Sequence, residues 1–308
     1  MLDKTNEVAA AAEESAGRME RRVLADVGAV TDADGIALVT WDMKDRPMNV
    51  LAADVMDELE AIVDRVAGDA AIKGAVLTSG KDAFSAGADL TMLQHGAKDY
   101  ARVLKEQGEE AAMLFFFENA RRGSLVFRKL ETSGKPWAAA INGLALGGGL
   151  VMTLYADLVI ASDQARLRIP DLTRGVYEAF IAARIPQRIG TLRANHLIYG
   201  NDWIDAAEAE RLGLVGRVVA HDDLREQTAA LLDRVRNTGP VARAAMKREM
   251  SRALPPVDVS GYWASMGTAE QIEAFTAFLQ KRSPDWPTTS ERDAFVSTRR
   301  PAWAPRDS

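Results

Sequence analysis

From Gly35 onward the apolar positions switch between two periods, and the switching predicts an α/β chain. Ile36-Ala37-Leu38-Val39-Thr40-Trp41 is short, apolar and rich in β-branched residues, so it reads as a strand. Asp54 to Val66 carries Val55, Met56, Leu59, Ile62, Val63 and Val66 at the spacing of one helix face. Gly74-Ala75-Val76-Leu77-Thr78 and Trp137-Ala138-Ala139-Ala140-Ile141 are two further strand-like runs. Residues 93 to 131 read as largely helical, and so does a segment from about Gly149 to Tyr155. Helices dominate from Arg193. The strongest is Asp223 to Arg236, with Leu224, Ala229, Leu231, Leu232 and Val235 apolar. Strand, helix, strand and loop in succession give βαβ units around a mostly parallel sheet.

Each of those two later strands runs into a loop poor in bulky side chains. The first loop is Ala83-Phe84-Ser85-Ala86-Gly87-Ala88-Asp89-Leu90, and the second is Asn142-Gly143-Leu144-Ala145-Leu146-Gly147-Gly148-Gly149. Glycine permits backbone angles and close approaches that a Cβ forbids. One bare N–H from each loop could converge on the oxygen of a polarised carbonyl, where such a donor stabilises developing charge. A Gly-Gly-Gly by itself is equally a tight turn with close helix–strand packing. The pairing of the two loops is what points to chemistry.

Ser85-Ala86-Gly87-Ala88-Asp89-Leu90 followed by Lys135-Pro136-Trp137-Ala138-Ala139-Ala140-Ile141-Asn142-Gly143 and the glycines resembles the enoyl-CoA hydratase/isomerase (crotonase) superfamily. The resemblance runs from about Gly35 to Trp286. It takes in Arg46-Pro47-Met48-Asn49-Val50-Leu51, Ala156-Asp157-Leu158-Val159-Ile160-Ala161 and Ala209-Glu210-Arg211-Leu212-Gly213-Leu214-Val215. Glu273 to Arg282 looks like the family's closing helix. The fold so implied is a crotonase-like spiral of ββα units with a C-terminal helical trimerisation region. Its expected divisions are an N-terminal arm over 1–30, a spiral core over 31–220, and a helical region and tail over 221–308.

The resemblance further implies an acyl-CoA thioester substrate, with coenzyme A as part of that substrate and no separate cofactor. A homotrimer or homohexamer is expected. The oxyanion hole would be formed by the backbone N–H groups of Ala88 and Gly148. Met48 and Val50 would flank the nucleotide portion of CoA, with Ala86, Ala88, Asp89 and Leu90 nearby. Leu144, Gly147, Gly148 and Pro170 would complete the binding set. Asp89 is expected to tie down its loop or the next helix rather than to react, since Asp favours helix N-termini. Lys281 matches a basic residue of the closing helix that approaches the CoA phosphates; the alternative is a solvated lysine beside Arg282.

The acid and base positions depart from the family's hydratases, which use two glutamates to activate water. The first sits two residues after the Gly-Gly-Gly, and here that residue is Val151, which cannot move a proton. The second follows a proline, and here the segment reads Ile169-Pro170-Asp171, with a side chain shorter by one methylene. Apolar neighbours Leu167, Ile169 and Leu172 predict a partly desolvated carboxylate with a raised pKa. Glu178 falls within about one position of a carboxylate found in the family's dienoyl-CoA isomerases; it reads equally as a helix-start residue. Asp171 and Glu178 are therefore the catalytic candidates. The expected activity is double-bond isomerisation by carboxylate proton transfer. The alternatives are enoyl-CoA hydration by Asp171 and Glu178, or a non-catalytic acyl-CoA-binding or RNA-binding homologue.

Composition narrows this further. A chain of 308 residues that is 47% hydrophobic has ample material for a core. A net charge of −6 offers no electrostatic footprint for nucleic acid, which weighs against the RNA reading. With no cysteine, disulfides and thiol nucleophiles are excluded. The 3 histidines, His95, His196 and His221, have no metal-ligand spacing on one helix. No apolar run reaches the roughly 18 residues a membrane span needs. Met1 to Arg22 carries five acids and no secretory pattern, so a cytoplasmic location is expected. Pro284, Pro287, Pro301 and Pro305 prevent Ser283 to Ser308 from forming one helix.

Overall fold

The runs picked out as strands assemble side by side. In a computed structural model that describes residues 30–31, 35–259, 262, 265 and 268–286, β1 (Val30–Thr31) pairs antiparallel with β2 (Ile36–Trp41). The sheet then continues in parallel through β3 (Gly74–Ser79), β4 (Trp137–Ile141), β6 (Leu158–Ser162) and β9 (Arg217–Val219). A second sheet joins β5 (Leu144–Leu146) to β7 (Arg166–Arg168) in parallel, and β7 to β8 (Ile204–Asp205) antiparallel. Residues 1–29 of the expected arm and the tail beyond Trp286 lie outside the described residues.

Parallel neighbours require crossovers, and helices supply them. Helix α1 (Ala53–Gly68) links β2 to β3; α2 (Leu90–Gln107) and α3 (Glu109–Thr132) link β3 to β4. Short α4 (Gly148–Leu154) follows β5. A 3-10 turn, Asp171–Arg174, precedes α5 (Ala179–Ile189), α6 (Thr191–Gly200) and α7 (Ala206–Leu212). The chain then runs through α8 (Leu224–Arg236), α9 (Pro240–Arg252) and α10 (Ala269–Leu279).

The central strands are covered on both faces, which is why they read as unbroken apolar runs. All five residues of β4 are buried. Trp137, Ala139 and Ile141 face the main core with Ala75, Leu77 and the α1 face Val55, Met56, Leu59, Val63 and Val66. Ala138 and Ala140 face the other way, with Val76 and Ile160, onto Leu224 and Leu232 of α8. The alternation is the two-residue period of a strand.

Three boundaries differ from the sequence expectation. The helical stretch over 93–131 is two helices, because Gly108, at φ +89°, ends α2 and starts α3. Helix α4 begins one residue early, at Gly148, since the Gly147 carbonyl accepts from both Leu150 and Val151. The closing helix stops at Leu279. Lys281 adopts φ +55°, its N–H donates to Phe278 O, and the Arg282 N–H donates to Ala277 O. That is a Schellman cap with lysine in the place glycine usually takes. Lys281 therefore lies past the helix end, exposed, and not on the helix as expected.

Candidate active site

The first loop is held by a buried asparagine. Asn49 is fully buried; its Nδ2 donates to Trp41 O at 2.7 Å, Ser79 Oγ at 2.9 Å and Phe84 O at 3.3 Å, and its Oδ1 accepts from Met43 N at 3.0 Å. Ser85 Oγ donates to Asn49 O and accepts from Gly87 N, at 3.1 Å each. The Arg46-Pro47-Met48-Asn49 segment thus sets the path of the Phe84–Gly87 turn. Asp89 caps α2, accepting from Thr91 N at 2.8 Å and Met92 N at 3.2 Å, and pairs with Arg46 at 2.8 Å. It has the loop-fastening place expected of it.

The backbone then exposes two amides. Leu51 N–H donates to Gly87 O at 2.8 Å, and Asp89 N–H donates to Leu51 O at 3.0 Å. Ala88 sits between those two bonds in a parallel bridge, so its own N–H faces away from Leu51. Gly148 is the first residue of α4, and a helix's first N–H groups have no intrahelical partner. The two loops meet closely. A second bridge joins Ser85 to Ala145. A Cβ on Gly87 would lie 2.7 Å from Leu146 O and 3.2 Å from Gly148 N, and one on Gly148 would lie 3.3 Å from Ala88 N. Gly87 is also at φ +88°, where only glycine is unstrained.

Beside these amides lies a carboxylate. Gly147 has φ +42°, and a Cβ there would stand 3.0 Å from Asp171 Oδ2 and 3.3 Å from Oδ1. Asp171 therefore packs on the glycine adjoining Gly148. Its Oδ2 is shut from solvent and has no hydrogen-bond partner among the described residues. Burial raises its pKa from 3.8 to about 6, with the Arg174 charge opposing the shift. The closing helix abuts the same turn: a Cβ on Gly175 would meet Gln271 Cα at 3.0 Å, and the Arg174 guanidinium lies 4.1 Å from the centre of the Phe278 ring.

Glu178 is the N-cap of α5, its Oε2 accepting from Ile181 N at 2.7 Å. The helix-start reading is thus fulfilled. Its Oε1 also accepts a hydrogen bond from the Tyr262 hydroxyl. Burial and the Asp171 charge raise its pKa from 4.5 to about 8, while the Tyr262, Ile181 and Phe180 donors pull it down. Tyr262 carries no sequence signal; it lies in no motif, and it reaches Glu178 only through the packing of the C-terminal region. Val151, which the sequence resemblance sets at the hydratases' first acid, is buried in the main core.

The remaining expected binding residues are dispersed around the loops. Met48 is exposed, and Val50, Ala86, Leu90, Leu144 and Pro170 are half-buried. Ala86 N–H donates to Asn49 O and Leu144 O accepts from Ser85 N, both at 2.9 Å, so both belong to the loop framework. Among the described residues no three His, Cys, Asp or Glu side chains are grouped to hold a metal ion. Nor is any helix there long and apolar enough to cross a membrane.

Residues 31–303 match the enoyl-CoA hydratase/isomerase family. The chain belongs to that family. Among its relatives is the crotonyl-CoA hydratase of Syntrophomonas wolfei, 31% identical over 258 residues, spanning 80% of this chain and 93% of that protein. The short-chain-enoyl-CoA hydratase of Clostridium acetobutylicum is 28% identical over 262 residues, 82% of this chain and 95% of its own length. Among solved structures, a monofunctional enoyl-CoA isomerase from M. smegmatis superposes with a TM-score of 0.58 at 29% identity, covering 75% of this chain and 95% of that one. The fold is also that of an enoyl-CoA hydratase from Mycobacterium avium subsp. paratuberculosis, with TM-score 0.69 at 22% identity, over 83% of this chain and 96% of that one. This enoyl-CoA hydratase/isomerase family member is accordingly an enzyme of that family, and its fold is the mixed α/β crotonase fold.

Proposed function

We propose that this family member moves the double bond of an acyl-CoA thioester from the β,γ to the α,β position. The thioester oxygen accepts hydrogen bonds from the Ala88 and Gly148 amides. Asp171 removes the α-proton, the electron pair is delocalised as a dienolate with its charge on that oxygen, and a proton is delivered to the γ-carbon. Donors fixed in place ahead of the reaction favour this charge at no reorganisation cost. The observation that carries the reading is the pairing at Gly147 and Gly148: an unpartnered carboxylate oxygen of Asp171 lies against the glycine next to an orphan helix amide. A pKa of about 6 leaves Asp171 mostly ionised at neutral pH and still basic enough to take a proton.

Val151 separates this reading from hydration. Hydration needs groups that orient and deprotonate a water beside the double bond, and the position of the first acid is filled by an alkyl side chain turned into the core. The second reading, hydration by Asp171 and Glu178 together, is favoured by the electrostatic coupling of those two carboxyls. The test compares β,γ-hexenoyl-CoA with crotonyl-CoA. Conjugation of the first at enzyme-like rates, about 10 per second, with little hydration of the second, supports isomerisation. The reverse order assigns the enzyme to hydration.

In this reading Met48, Val50, Ala86, Leu90, Leu144 and Pro170 surround the CoA and acyl path, coenzyme A is part of the substrate, and Lys281 approaches the phosphates from the turn after α10. The enzyme acts in the cytoplasm as a homotrimer or a dimer of trimers. Exposed Leu172, Phe278 and Leu279 beside the Asp171 turn and on α10 support a subunit boundary there.

A further inference from the structure

We propose that Tyr262 is a positioning residue for proton transfer, holding the Glu178 carboxyl so that Glu178 delivers the proton to the γ-carbon while Asp171 acts as the base. This deepens the isomerase reading and rests on it. The geometry is over-determined for a simple helix cap. Glu178 Oε2 is fixed at 2.7 Å by the Ile181 N–H of its own helix, and Oε1 by the hydroxyl of a residue 84 positions later. Helix caps are ordinarily Ser, Thr, Asp or Asn, whose short side chains reach the free amides without a second anchor. The Tyr262 ring is itself fixed, with centroids 5.8 Å from Tyr177, 6.4 Å from Phe180 and 6.4 Å from Phe116. The phenol is held by its ring on one side and committed to Glu178 on the other.

The groups facing Glu178 explain why the pair is useful. Asp171 approaches from the 3-10 turn, Tyr177 from the segment before α5, Tyr155 from the end of α4, and Tyr262 from the C-terminal region. Two carboxyls in one buried site do not both ionise readily, so one proton stays with the pair. Asp171 ionises first, and Glu178 keeps its proton to higher pH. Environments that push two acids apart in this way assign one as base and the other as acid. In the step, Asp171 gains the α-proton and Glu178 loses its own to the γ-carbon. The thioester is neutral again, and the enzyme holds its proton on Asp171 instead of Glu178. Exchange between the carboxyls or with solvent restores the starting state. In the interval Glu178 is an anion in a buried site, and the Tyr262 O–H is the donor that accommodates it.

The test is the pH profile of kcat for β,γ-hexenoyl-CoA in the wild type, Tyr262→Phe, Glu178→Gln, the double variant and Asp171→Asn. Tyr262→Phe keeps the packed ring. It should lower kcat at least about tenfold, leave KM within about twofold, and move the alkaline limb to higher pH, because removing a donor to the carboxylate favours the neutral acid. In Glu178→Gln that limb should vanish, and adding Tyr262→Phe should cost nothing more. Difference infrared of the free enzyme should show a protonated Glu178 carboxyl whose loss with rising pH is delayed in Tyr262→Phe. A Tyr262→Phe enzyme with wild-type kcat and limbs, or one that loses as much in the Glu178→Gln background as in the wild type, overturns the proposal while an inactive Asp171→Asn leaves the isomerase reading standing. Full activity of Asp171→Asn overturns the isomerase reading itself, and the infrared titration still decides the Tyr262 contact.

Discussion

Gly148→Ala isolates the contribution of the amide pair. Nothing in the backbone forbids alanine there, since Gly148 is not among the residues at positive φ. The added methyl would lie 2.8 Å from Leu51 Cδ1 and 3.3 Å from Ala88 N. The first contact is with the tip of a flexible side chain, and overpacking of this kind costs about 1–3 kcal/mol of stability. The second is the important one, because it places carbon within van der Waals contact of the Ala88 amide, where the thioester oxygen is proposed to bind. Losing one such donor removes about 3–4 kcal/mol of transition-state stabilisation, roughly a hundred- to a thousandfold in kcat. The measurement is isomerisation of β,γ-hexenoyl-CoA, read as the rise in conjugated enoyl absorbance, with a thermal melt in parallel. Leu51→Ala in the same chain relieves the steric contact but leaves the methyl 3.3 Å from the Ala88 nitrogen. It should restore the melting temperature in part and leave kcat low. If Gly148→Ala turns over normally, or if Leu51→Ala rescues both properties together, the oxygen does not bind between these loops.

Three other outcomes follow from the same geometry. Asp171→Asn should lower kcat by roughly 10²–10⁴-fold with little change in the affinity for a non-reactive acyl-CoA; retention of kcat would refute its role as base. The same variant should be more stable near neutral pH. The folded-state pKa lies above the ordinary one, so this contribution favours folding below about pH 4 and is lost as pH rises through about 6. The cost released at pH 7 is at most about 3 kcal/mol, and a lower melting temperature in Asp171→Asn would contradict it. Light scattering at micromolar concentration should give a trimer or hexamer, and a monomer would remove the proposed subunit boundary around α10.

The strands β2, β3 and β4 and the two glycine loops were legible because each is local, whereas β5 lies within the second of those loops and the other strands were not read from the sequence. A run such as Trp137-Ala138-Ala139-Ala140-Ile141 states its own burial, and Gly87 and Gly147 occupy backbone angles that other residues avoid. Asp89 and Glu178 were legible as helix-start residues for the same reason. The break at Gly108 was masked by helix-favouring sequence on both sides, where a single glycine costs only about 1 kcal/mol and does not by itself end a helix. Lys281 was misplaced because its Schellman turn uses a residue type that carries no turn signal. Tyr262 could not be found at all. Its contact with Glu178 spans 84 positions and depends on how the C-terminal region packs on the spiral, which no local pattern encodes.

The carboxyls explain why burial and reactivity coincide at this site. Both Asp171 and Glu178 have pKa values above the ordinary range, and in each the largest cause is burial. Each therefore weakens the fold once the pH exceeds its ordinary value, since the unfolded chain would give up the proton more easily. Val151, by contrast, places an alkyl group in the core. Asp171 lies against Gly147, next to the Gly148 amide, and Glu178 lies under the Tyr262 hydroxyl. Proteins tolerate such local destabilisation where activity depends on it. Burial also raises the pKa of Glu58 to about 7 and lifts that of Asp157; what sets Asp171 apart is its place against Gly147, beside the first amide of α4.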